Sequence, residues 1–227
     1  MRSRHFLATL ALTLTAVLSA PAAHAQGAGG EWVSYRDAYR AMVRFEKYGG
    51  PKNLLVNALQ VVPTGNGALG EGAQLTLSGK TVQLNLPLDA LGRTVFPLQK
   101  AAYDENAALT LNRKGIAFTV RPQVALVSRA DGQYDAAELR AACAQALGYA
   151  RWLDPAQGAR GCAGVRFMYA RKLEAGVRLR HAEGAEQVLP VVEEGSGAAV
   201  VYRFGASAER AQVVTANGPV AILPLIE

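Results

Sequence analysis

The sequence predicts an α+β protein, mostly strand. Two antiparallel β regions, as a sandwich or partly closed barrel, accompany an N-terminal helix and a central disulfide-tethered helix. Three observations predict this. Short alternating apolar runs recur between Gly, Asn, Asp and Ser residues. Two other segments carry apolar residues at helical spacing instead. The chain has two cysteines, Cys143 and Cys162, one inside the second helical segment and one just after it.

Taken in order, residues 1–25 read as an export leader. Arg2 and Arg4 precede an apolar run from Phe6 to about Ala20, and the small-residue triplet Ala23, His24, Ala25 follows Pro21. The run is shorter than the roughly 20 residues that cross a bilayer, so cleavage near Ala25 is expected rather than anchoring. Ser3 separates the two arginines, which favours the general export route over the twin-arginine one. A Gram-negative periplasm is the expected destination. No transmembrane span is expected in the mature chain, because no later apolar run is long enough.

Residues 26–133 form the first unit, a helix plus a β region. Ser34 caps the helix, with Asp37 in the reciprocal position. Tyr35, Ala38, Tyr39, Met42 and Val43 then form one apolar face, and Gly49, Gly50 and Pro51 end it. LLVNALQVV reads as a strand and GNGALGEG as a loop. LTLSGKTVQLNLPL reads as a hairpin turning at Ser78 and Gly79. TVFPL, AALTLN, IAFTVRP and QVALVS read as further strands, the second and third joined by a turn from Asn112 to Gly115.

Residues 134–163 supply the linking helix and loop. Leu139, Cys143, Ala146, Leu147 and Ala150 line one side of YDAAELRAACAQALGYARWL. In an oxidising compartment an isolated cysteine pair is expected to bond, and Cys143–Cys162 would pin this helix to the region after it. The spacing is far too wide for a redox Cys-x-x-Cys.

Residues 164–227 return to strand. VRFMYARKLEAGVRLRH reads as a hairpin with Val165, Phe167 and Tyr169 facing Val177 and Leu179, and QVLPVV, AVVYRF, AQVVTA and PVAILPL continue it. Asn217 and Gly218 supply the last tight turn. ENAALTLNRKGIAFTVRP from Glu105 can be laid over ERAQVVTANGPVAILP from Glu209 with a Glu, an Ala, an Asn, a Gly and a Pro coinciding. Duplication explains this echo; two hairpins with similar turns also would.

The inventory of reactive side chains is short. With the leader gone, His181 is the remaining histidine, and it sits at a strand end beside Arg180. Zinc hydrolases draw on two or three histidines, often in HExxH, which is absent, so no metal site is expected. No GxSxG elbow, phosphate loop or dinucleotide fingerprint occurs, so no cofactor is expected. Ser78, Gly79 and Lys80 serve a hairpin tip rather than a nucleophile. No catalytic residue is assigned. Asp104 with Glu105 and Glu193 with Glu194 are adjacent acids, but neighbours on a strand point to opposite faces. After loss of Arg2 and Arg4 the chain keeps 22 basic residues against 18 acidic ones. That small surplus does not predict nucleic-acid binding. Arg36, Arg40 and Arg44, with Lys47 nearby, line one helical face and form a candidate anion-binding face, although a solvated face is the better account of the row.

The order of features resembles that of a known family. Tyr35 and Tyr39 follow the leader on a helix. PLDALGR at Pro87 to Arg93, ENAALTLN, YDAAELRAACAQAL and GVRFMY come after it. The layout of residues 32–170 looks like that of an uncharacterised family of secreted proteobacterial proteins, a domain of unknown function. The resemblance implies periplasmic residence and carries no catalytic residues. A non-catalytic role is therefore expected: binding an envelope protein or glycan through a β surface or the N-terminal helix. The rival expectation is a small enzyme that works on envelope glycans with carboxylates alone.

Overall fold

The computed structural model describes residues 30–65, 68–181, 184–195, 197–205 and 210–227, so the segment read as an export leader lies outside the described residues. β1 (Trp32–Ser34) runs straight into α1 (Tyr35–Lys47). β2 (Leu55–Pro63), β3 (Gln74–Ser78), β4 (Gln83–Pro87), β5 (Arg93–Thr94), α2 (Lys100–Asp104), β6 (Ala108–Leu111) and β7 (Phe118–Leu126) complete the first half. The second half opens with β8 (Gln133–Asp135) and α3 (Ala136–Leu153), then a 3-10 turn at Pro155–Ala159. β9 (Cys162–Ala170), β10 (Val177–Arg180), β11 (Glu186–Val188), β12 (Val191–Glu194), β13 (Gly197–Arg203), β14 (Gln212–Thr215) and β15 (Ala221–Ile226) follow.

These strands make a seven-stranded antiparallel sheet, ordered β12-β13-β9-β15-β7-β2-β5, and two four-stranded sheets, β1-β6-β3-β4 and β11-β10-β14-β8. The expected α+β, mainly-strand class holds, as a layered arrangement in which no sheet closes into a barrel. Successive side chains on a strand alternate in direction, so Leu55, Leu59 and Val61 share one face of β2. Leu59 and Val61 enter one core with α1, β3, β4 and β6; Leu55 enters the other with α3, β10, β13 and β14. Both helix-and-sheet lobes therefore cover the same face of the large sheet. On its reverse face Ala125, Met168, Ala199 and Ala221 form a small cluster with Leu91 and Leu223.

The two long helices form where the apolar spacing placed them, whereas the short α2 was not expected. Ser34 Oγ accepts from the Asp37 N–H at 3.3 Å, closing the first turn of α1. Tyr35, Ala38, Met42 and Phe45 are buried along one side, while Tyr39 and Val43 are half-buried. In α3 Leu139, Cys143, Ala146 and Leu147 are buried, with Ala150 at the margin. Tyr134 and Asp135, read as the start of this helix, form β8 instead because they pair with Val213 and Gln212.

Strand boundaries depart from the local pattern in several places. Of TVFPL, only Thr94 is in strand, as the end of β5; Val95 turns out to solvent before Pro97. IAFTVRP and QVALVS fuse into the single strand β7, with Pro122 in its middle. QVLPVV splits at Pro190 into β11 and β12, which belong to different sheets. The hairpin read at residues 75–88 is present as β3–β4, and the Gly79 N–H donates to Val82 O at 2.8 Å. The other three expected hairpins are not hairpins. β6 and β7, β9 and β10, and β14 and β15 each lie in different sheets. Their alternating apolar residues meet across a core, not across a ladder, and an apolar period of two is the same in either case.

The two halves repeat one another in topology and register. In the first four-stranded sheet Val33 lies opposite Leu109, and Leu75 and Leu77 lie opposite Leu111 and Leu109. In the second, Tyr134 lies opposite Val213, and Val177 and Leu179 lie opposite Thr215 and Val213. The Tyr35 N–H donates to Ala107 O at 2.9 Å and the Ala136 N–H to Ala211 O at 3.0 Å. Leu59 pairs with Pro122 as Val165 pairs with Pro224. This is the register of the sequence echo, which sets Ala107 on Ala211 and Leu109 on Val213; Glu209 lies outside the described residues. β7 and β15 meet antiparallel at Leu126 and Ile222, so a pseudo-two-fold axis normal to the large sheet relates the halves. β12 has no counterpart beyond β5.

Candidate functional site

A cavity of about 420 Å³ lies between α1 and β7 in the first lobe. Trp32, Val33, Ala38, Ala41, Leu59 and Phe118 give it an apolar lining, and Ser34 and Asp37 stand among its polar residues. Its β7 wall runs from Phe118 to Pro122. The Phe118 N–H donates to Gly30 O at 3.0 Å, so the even-numbered residues of β7 direct their backbone groups away from β2. The Val120 N–H and the Val120 and Pro122 carbonyls therefore point out of this edge, which borders the cavity. Among the described residues this edge of β7 is paired at Phe118, with Gly30, and at Leu126, with Ile222, and nowhere between. Pro122 is tolerated mid-strand because its missing N–H would have pointed to the open edge.

The corresponding place in the second lobe is closed down to a small crevice. Val33, Asp37, Ala38 and Ala41 correspond to Tyr134, Glu138, Leu139 and Ala142, which with Leu54, Leu126 and Val127 border a crevice of about 10 Å³, room for about one water. The Tyr134 ring packs edge-on to Phe167 at 5.8 Å, and its hydroxyl accepts from the Arg129 N–H. Burial pushes the Tyr134 pKa up, so that hydroxyl stays protonated at neutral pH.

A second feature lies at the far end of the large sheet. Every residue of β11 and β12 is exposed, and Val188, Val191 and Val192 are 70%, 47% and 55% accessible. β12 is laddered to β13, with Val191 opposite Val200 and Glu194 opposite Gly197. Its outer edge carries backbone groups that no described residue pairs.

The arginine row is partly committed to the fold. Arg36 donates to Tyr103 O at 3.1 Å and Asp104 O at 3.2 Å, a cation on the last carbonyls of α2. Its guanidinium lies 5.2 Å from the Tyr103 ring centroid. Arg40 donates to the Tyr103 hydroxyl and pairs with Asp37 at 3.4 Å. Arg44 and Lys47 are exposed further along the same helix. The structure thus gives two of these four side chains intramolecular partners. Cys143 and Cys162 are bonded, Cα to Cα 6.0 Å, tying α3 to the start of β9.

Among the described residues the carboxylates are tied separately into turns and ion pairs. Glu105 accepts from the Thr81 hydroxyl, the Thr81 N–H and the Lys80 N–H, which together hold its pKa below the usual carboxylate range and fasten the β3–β4 turn. Asp104 pairs with Lys100, and Glu194 pairs with Arg166 at 2.8 Å. Glu71, Asp131, Asp154 and Glu227 are also shifted down, each first by a side-chain hydrogen bond, from Lys172, Arg129, Gln157 and Arg203 respectively. A general acid needs the opposite shift. His181 sits half-buried after β10, its N–H on Ala185 O. Among the described residues no group of three His, Cys, Asp or Glu is placed to hold a metal, and no helix is long and apolar enough to cross a membrane.

Sequence reasoning missed both the cavity and the exposed edge. The first becomes visible only when Val33 and Ala38 are set against Tyr134 and Leu139. The second needed the knowledge that Pro190 splits its segment between two sheets. Fold and site together define the class: a β-rich α+β protein with an internal repeat and a disulfide-tethered helix. No protein-family model, curated protein or solved structure matches the chain.

Proposed function

We propose that this is an exported, periplasmic protein of non-catalytic type that holds a cell-envelope protein through the valine-bearing edge of β12. The exposed edge carries the reading. β11 and β12 contribute none of the largest fully buried side chains, yet they present Val188, Val191 and Val192 to solvent beside an unpaired strand edge. β-Branched residues in that setting are suited to accept a further strand, with backbone bonds giving affinity and alternate side chains giving selectivity. The leader, the intrachain disulfide and the likeness in layout to secreted proteobacterial proteins support the location. Glycan hydrolysis by carboxylates has less support, because the acids described above are spread over the surface and tied into turns and ion pairs.

The test compares the tagged mature protein with its Val192→Lys variant in chemical cross-linking with periplasmic extract. A protein captured by the first and lost from the second, with circular dichroism unchanged, supports the reading. An identical set from both removes it.

A further inference from the structure

The ladder between β12 and β13 fixes which backbone groups and which side chains a strand added to β12 would meet. The Phe204 N–H donates to Ala163 O at 2.9 Å, so the even-numbered residues of β13 bond to β9 and the odd-numbered ones to β12. Ala199 and Gly197 lie opposite Val192 and Glu194, whose backbone groups are therefore taken up by the ladder. The N–H and C=O of Val191 and Glu193 point out of the edge instead. The side chains divide as well. Val191 stands opposite Val200, a residue of the second core, so Val191 and Glu193 lie on the face that carries the lobes. Val192 lies on the reverse face with Glu194, and Glu194 is held by Arg166 at 2.8 Å. Glu193 is exposed, and it is the charge that a guest meets where the outward backbone groups are. A second copy of β12 could set only a valine or another glutamate opposite Glu193, which leaves the acid without a counter-charge.

We propose that β12 takes an antiparallel strand from another protein, with a lysine or arginine opposite Glu193 and β-branched apolar residues opposite Val192 and Val191. This deepens, and rests on, the reading of the valine edge as a docking strand. Antiparallel pairing lets the guest residues opposite Val191 and Glu193 each exchange two backbone hydrogen bonds with β12. The guest residue between them, opposite Val192, sits in a pair without backbone bonds, where side chains come closer and β-branched residues pack well. In the guest's own direction the order is base, apolar, apolar, because an antiparallel chain meets Glu193 first. A base opposite Glu193 gains from the pair and an acid loses, which adds a selectivity that backbone bonds do not supply.

The experiment titrates the protein with N-acetyl-Thr-Lys-Val-Val-Thr-amide and with the same peptide carrying glutamate in place of lysine. The Val191 and Glu193 amides are read by NMR and hydrogen exchange. At low salt the lysine peptide should bind saturably, slow the exchange of both amides and bind roughly fivefold tighter than the glutamate peptide. The margin should fall below about twofold in 1 M salt, where the Debye length is about 3 Å. Glu193→Lys should invert the preference and Glu193→Gln should erase it, both with the melting temperature unchanged because the side chain is exposed. Equal binding of the two peptides through the same two amides overturns the charge rule and leaves the docking strand standing. If neither peptide perturbs these amides, or if both amides are already protected in the peptide-free protein, the rule and the docking strand fall together.

Discussion

Val33 and Tyr134 occupy the same position in the two halves of the chain, opposite Leu109 and Val213 on equivalent strands and one residue before the helix-capping residue. The shared place has opposite consequences. Tyr134 packs on Phe167 and, with Leu54, Leu126 and Val127, leaves its lobe only a small crevice, whereas the lobe of Val33 keeps a cavity. A repeat that preserves register yet varies in filling separates what the fold requires from what one lobe has been left free to do.

This separation predicts asymmetric responses to cavity mutations. Leu139 is 2% exposed, so Leu139→Ala should cost about 2–4 kcal/mol in urea unfolding by opening a void in a closed lobe. Ala38→Leu, at the equivalent position, adds volume where space exists and should lose less than about 1 kcal/mol. Equal losses for the two would show that the first-lobe cavity is not real free volume.

Arg36 should behave as a structural residue. Removing its two bonds to the carbonyls ending α2 strands a helix terminus, so Arg36→Ala should destabilise by about 1–2 kcal/mol. Charge reversal at Arg44 should leave the unfolding midpoint unchanged. If the row also binds anions, Arg44→Glu will weaken binding to anionic lipid vesicles at low salt, and unchanged binding assigns the exposed arginine to solvation alone.

How far the sequence carried this fold depends on which contacts are local. The Ser34 cap, the buried stripe of α3, the β3–β4 hairpin and the bonded cysteine pair were legible because each is fixed by residues close in the chain or by a pair with no other partner. Strand partners were not legible. Leu109 and Phe118 follow one another like two arms of a hairpin, yet they face each other across a core, and alternation cannot tell ladder from sandwich. The echo between Glu105 and Glu209 held the missing information, since its register is that of the observed repeat. The valine edge and the cavity stayed hidden because each is defined by what fails to cover it.

The disulfide should contribute through the unfolded chain. Cys143 and Cys162 are 19 residues apart, and closing a loop of that size is worth about 3 kcal/mol. Thiol titration of the denatured, unreduced protein should find no free thiol, and the Cys143→Ala/Cys162→Ala double variant should unfold at correspondingly lower urea. Two free thiols would remove both the cross-link and the argument for an oxidising compartment that leans on it.

Alkaline pH should expose the tyrosines of the core in a defined order. Burial pushes Tyr169 from 10.0 up to about 12, and its hydroxyl donates to Gly176 O at 3.3 Å. A folded-state pKa above the unfolded one favours the protonated group in the native protein. That contribution is complete below pH 10 and disappears as pH rises toward 12. Tyr35, Tyr134, Tyr149 and Tyr202 are shifted in the same direction by burial, so their contributions fade on the same side. Ultraviolet titration should therefore show these buried tyrosines ionising late, with loss of near-ultraviolet circular dichroism. Tyr169→Phe keeps the ring, removes the late titrating hydroxyl and should flatten the alkaline fall in stability. If it leaves the slope of stability against pH unchanged in that window, the buried hydroxyl at the centre of the second core is not what limits the fold in base.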